Sequence, residues 1–167
     1  MLWQIRGQKR VYIYPPSAPF LPQDRLERII LGDVHEISLD YHAWFDEYAE
    51  VLDLVPGRMV YWPLNSPHRI VNEDCVNVSV TTEHFTSSLR SKYLVNYANG
   101  LCRRVLPSGR FSQSVDGPAA WTKFGLAGIV KATGLKKAAK RHFMVDFRVD
   151  PSAQLGVRNV PPHRILK

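Results

Sequence analysis

The chain has 167 residues, of which 45% are apolar and 22% charged, enough for one ordinary core and unlike a disordered or fibrous composition. It has no run of about 18 apolar residues that would span a membrane and no basic-then-apolar leader, so a soluble, cytoplasmic protein without a membrane partner is expected. The net charge of +7 is uneven: residues 1–100 hold 9 Lys/Arg against 12 Asp/Glu, and residues 101–167 hold 13 against 3. That cationic third would attract nucleic acid, acidic lipid or an acidic protein; the plainer reading is a solvated basic face. Cys75 and Cys102 lack CxxC spacing and are too few for a disulfide framework, so two reduced thiols are expected.

In chain order, Met1–Arg6 and Lys9–Tyr14 read as two short strands joined by a tight turn at Gly7-Gln8. Pro15, Pro16, Pro19 and Pro22 exclude regular structure, after which Leu26, Ile29 and Ile30 mark a short helix over 23–31. Trp44, Phe45 and Tyr48 predict a further helical turn or two, followed by a strand at 51–55. Pro56-Gly57 turns the chain into a strand at 58–62, which Pro63 ends. His68–Val71 follows a short polar loop, and 76–81 alternates strictly between apolar and polar side chains, the clearest strand in the sequence.

From Ser87 the period becomes helical, with Leu89, Tyr93, Tyr97 and Leu101 on one face that is expected to pack on the sheet. Trp121, Phe124 and Ile129 support a second helix, and a third, lysine-rich one should follow Gly134. Residues 143–167 read as irregular or extended, because Pro151, Pro161 and Pro162 oppose helix. The fold class is mainly β with C-terminal α-helices, divided into a β-domain over 1–85 and a helical, basic extension over 86–167.

Two spacings carry chemistry. Gly57, Pro63, His68 and Asn72 stand five, four and three residues apart, so a turn, a strand stop and a short loop deliver an imidazole at the head of a strand. This resembles the second motif of the cupins, G(X)5PXG(X)2H(X)3N, with Asn65 in place of the inner glycine; asparagine also tolerates the left-handed conformation. The segment Gln4-Ile5-Arg6-Gly7-Gln8-Lys9-Arg10, continued to Pro15-Pro16, is similar to the stretch that follows the metal-binding HxD in JmjC-type cupins, and Leu54-Val55-Pro56-Gly57 to His68 resembles their later "LxPGD…H". The tail resembles a bacterial cupin-like group described as transcriptional regulators.

The resemblance implies a cupin, or double-stranded β-helix (jelly-roll), half barrel over residues 1 to about 112. It also implies the family's cofactors, Fe(II) held by a facial triad and 2-oxoglutarate. Carried over by position, His68 matches the distal metal ligand, Lys9 the lysine that pairs with the 2-oxoglutarate carboxylate, and Thr81 a pocket-facing site. No HxD or HxE occurs, and in relatives that motif lies just before the position of Met1, so the chain is expected to start downstream of two of three iron ligands. No catalytic residue is assigned: the chain reads as a dioxygenase relative, inactive as an oxidoreductase on its own, or as a non-catalytic module contacting protein or nucleic acid through its basic region. Its small-molecule or protein substrate is unspecified. His35, His42, Asp46 and Glu47 are the weaker candidates for replacement metal ligands. Open sheet edges predict a homodimer, formed by completing the barrel or through Leu89, Tyr93 and Tyr97.

Overall fold

Gly7 decides how the N-terminal strands are used. In the computed structural model of the protein, which describes residues 1–134, 143–153 and 156–165, β1 (Leu2–Arg6) and β2 (Lys9–Ile13) do not pair as a hairpin. Gly7, at φ +80°, instead carries the chain from the centre of one antiparallel sheet to the centre of another. A Cβ at Gly7 would stand 2.4 Å from the Val76 carbonyl oxygen, so the crossing requires glycine.

Four further strands complete the two sheets: β3 (Glu50–Leu54), β4 (Met59–Val60), β5 (His68–Asn72) and β6 (Val78–Thr81). Sheet A has the order β4-β1-β6 and sheet B the order β3-β2-β5, with all pairings antiparallel. The strand expected over 58–62 shrinks to two residues. Asn65, at φ 62°, adopts the left-handed conformation at the position where the motif has glycine.

Leu2 and Val60 of sheet A share one core with Val11, Ile13 and Leu54 of sheet B, and Leu52 and Trp62 pack against it. Against the other face of sheet B, around Tyr12, lies an aromatic cluster of Tyr14, Phe20 and Phe45, delivered in part by a 3-10 helix over Ala43–Tyr48. β6 reverses the usual reading of an alternating strand. Its polar Ser79 turns inward while Val78 and Val80 are exposed, because Ser79 faces Gln4 across the β1–β6 pairing.

α1 (Gln23–Leu31) ends at Gly32 in the left-handed conformation, and α2 (Ser87–Val105) begins at Thr86, whose hydroxyl accepts from the Leu89 amide. Rather than packing chiefly on the sheet, α2 packs on α1, where Gly100 meets the Glu27 carbonyl. Glu27 explains that choice. Its fully buried carboxylate accepts from Arg103, Gln113, Asn99 and Gln23, so α2 supplies polar partners that a sheet face of side chains would lack.

α3 (Pro118–Ala132) forms where Trp121 and Phe124 anticipated it. The lysine-rich helix expected after Gly134 lies outside the described residues. The chain divides into two compact units, Met1–Ala127 and Gly128–Lys167. The second unit holds an antiparallel hairpin, β7 (Phe143–Val149) and β8 (Val157–Ile165), where irregular or extended chain was expected. Pro161 and Pro162 exclude helix but are tolerated beside the register shift between Val145 and Phe147. Among the described residues the fold is mostly antiparallel sheet with helices, and no helix is long and apolar enough to cross a membrane.

Candidate anion site between the two sheets

Alternation along β2 turns Lys9, Val11 and Ile13 towards sheet A and leaves Arg10 outside, where it pairs with Asp53. Lys9 is only 9% exposed, yet among the described residues its ammonium makes no ion pair. Its Nζ donates to the Ser79 hydroxyl at 2.6 Å, and Ser79 in turn donates to Gln4 Oε1 at 2.7 Å. Gln4, 1% exposed, donates through Nε2 to Asn77 Oδ1 at 2.8 Å and to the Arg6 and Gly7 carbonyls.

The direction of every proton in this relay is fixed, since an ammonium has no lone pair to accept with. Ser79 must receive from Lys9 and give to Gln4. A lysine ammonium has three donors, and one is used by Ser79. The arrangement holds a positive charge with spare donors between two sheets, where an anion would be its natural complement.

His68 and Asn72 stand on the same face of sheet B as Lys9. Asn72 is directly opposite Lys9, and His68 is opposite Ile13, four residues further along, or about 14 Å at strand spacing. The Ser66 carbonyl accepts from His68 Nδ1 at 3.2 Å, and Trp62 packs against the ring with centroids 4.5 Å apart. Thr81 pairs with Leu2 and so shares the inward face of sheet A with Ser79, two residues away. His68 and Thr81 are both exposed and lie at the end of the sheets away from the Gly7 crossing; Lys9 and Ser79 lie at the other. The fold thus puts the three sequence-derived candidates on facing inner surfaces, with direct contact only between Lys9 and Ser79.

Among the described residues no three His, Cys, Asp or Glu side chains gather as a metal cage. His68 offers one imidazole, and His35, His42, Asp46 and Glu47 are not assembled with it. Among the described residues the donor set therefore does not fit the iron triad that the resemblance implies. Asp46 is instead occupied: it accepts from Tyr14 at 2.7 Å, from Tyr41 at 3.1 Å and from Arg69, whose guanidinium lies 3.9 Å from the Tyr12 ring centroid. These donors, with Tyr14 first, hold the Asp46 carboxyl below its ordinary range, and burial together with Asp46 pushes the Tyr14 phenol up to about 12. Beside this cluster runs a cleft of about 450 Å³ whose lining includes Tyr14, Phe45, Trp62, Ser66, His68 and Arg69.

Ser79, Gln4, Asn77 and Asn72 are the members of the site that sequence reasoning left without a role. For Asn77 and Ser79 the signal was present in the Val-Asn-Val-Ser-Val-Thr alternation, but alternation alone does not say which face is inward. Comparison of the chain with protein-family models, curated proteins and solved structures returned no match.

Proposed function

We propose that the chain is a JmjC-type cupin relative, a half barrel of the double-stranded β-helix kind, that acts as a non-catalytic module binding a small dicarboxylate such as 2-oxoglutarate on Lys9. The observation that carries this is the inter-sheet ammonium of Lys9, held by Ser79 and without an acidic partner among the described residues. A carboxylate there would form a charge-assisted hydrogen bond in a largely dry site, where such bonds are strongest. Asn72, facing Lys9, adds an amide that can donate to the same ligand.

The test is isothermal titration of 2-oxoglutarate into the metal-free chain, repeated with Lys9→Met. One ligand per chain, with affinity falling at least tenfold in the variant, is the expected result. Equal binding by both proteins, or none by the parent, overturns the reading.

The proposal includes a second copy of the chain. Trp3, Ile5, Met59, Val78 and Val80 share the outer face of sheet A and are all exposed, a contiguous apolar surface of the kind that marks an interface. The alternative contact through α2 is less available, since Tyr97 is buried and Tyr93 is stacked on it.

A further inference from the structure

The boundary between the two compact units is also a boundary in charge. Residues 1–127 contain 13 Lys/Arg and 13 Asp/Glu, whereas residues 128–167 contain 9 Lys/Arg and two acids, Asp146 and Asp150. The net charge of +7 therefore belongs to the second unit. Of its two carboxylates, that of Asp150 is engaged by the Ser152 hydroxyl at 2.6 Å and amide at 3.0 Å, at the turn of the hairpin.

The hairpin register sharpens this charge into a feature. Arg148 and Arg158 are direct cross-strand partners, both exposed, and their Cα atoms must stand about 5 Å apart. Like charges placed directly opposite destabilise a sheet, and a two-stranded ribbon is marginal alone. A bound oxyanion removes the repulsion, because two guanidinium forks can share its oxygens. The neighbouring pairs, Val149 with Val157 and Phe147 with Asn159, point to the opposite face.

That opposition selects the partner. A lipid surface rewards cations and apolar groups presented on the same side, and here they are presented on opposite sides. A polyanion that approaches only the arginine face meets no such conflict, and a two-stranded ribbon is of a width that the major groove of a duplex admits. We propose that the Gly128–Lys167 unit is a sequence-independent binding module for duplex nucleic acid, with Arg148 and Arg158 gripping phosphates from one face of the β7–β8 ribbon. This proposal stands independently of the Lys9 site.

The experiment uses the full chain and a short DNA duplex of random sequence, with fluorescence anisotropy read across a salt series. Binding should weaken linearly on a log–log plot and ignore sequence. Arg148→Gln with Arg158→Gln should lose on the order of tenfold or more in affinity and flatten the salt slope by about 2. The charge-retaining pair Arg148→Lys with Arg158→Lys should keep the slope, which separates lost contacts from a lost fold. No duplex binding at low salt, or a Gln pair with parental affinity and slope, would overturn the proposal. So would tight binding to phosphatidylserine vesicles without binding to the duplex.

Discussion

Lys9 carries its charge into a space shared with Val11 and faced by Leu54, where an ammonium is held at the expense of solvation. Replacing it by methionine keeps the length and removes that cost, so Lys9→Met should melt at the parental temperature or above it while losing the ligand, a stability gain set against function. Gly7→Ala should act in the opposite sense. The new Cβ meets backbone at 2.4 Å with φ at +80°, and a loss of about 1–3 kcal/mol in denaturant unfolding is expected. Asp46 supplies a pH signature: its folded pKa lies below the unfolded value, so the folded state binds fewer protons there. Its contribution is complete above the ordinary carboxylate range and is lost as pH falls through the depressed value. Asp46→Asn should flatten the acid limb of a stability-against-pH curve, and a limb unchanged in the variant would contradict this. Asn65 was legible from the sequence because backbone conformation restricts residue choice. The partners of Lys9 were not, because Ser79 lies 70 residues away and only the strand pairing brings it near.

At the scale of elements, the helices and strands were readable where one face is apolar and the other polar, as in α1 and α2. What periodicity could not assign was the element each face meets. α2 chose α1 over the sheets because of Glu27, a carboxylate with 0% exposure that needs Arg103, Asn99 and Gln113 around it. β6 likewise presents its valines outward because its serine is needed within. Glu27→Ala should therefore cost about 3–5 kcal/mol, since it strands the mostly buried Arg103, and should lower the melting temperature by on the order of 10 °C. A loss below about 1 kcal/mol would mean that the α1–α2 contact does not depend on this pair. The β1–β2 hairpin was misread for a related reason: a turn of two residues is the same in sequence whether it closes a hairpin or crosses between sheets.

For the whole molecule, charge divides a neutral unit of paired sheets from a cationic ribbon unit, so the small-anion binding proposed for the first and the polyanion binding proposed for the second can be tested separately. The exposed outer face of sheet A predicts association of two copies, and sedimentation velocity should find a dimer at micromolar concentration that Val80→Lys converts to monomer. A monomeric parent would remove the second copy from the account without touching Lys9. A basic chain also attracts any anion weakly, so the position of the bound ligand is decisive. The most direct measurement is an amide chemical-shift titration of the labelled chain with 2-oxoglutarate. Binding on Lys9 predicts saturable shifts at Lys9, Asn72 and Ser79, with Arg148 and Arg158 unmoved. Shifts confined to the β7–β8 ribbon, or none between the sheets at saturating ligand, would contradict it.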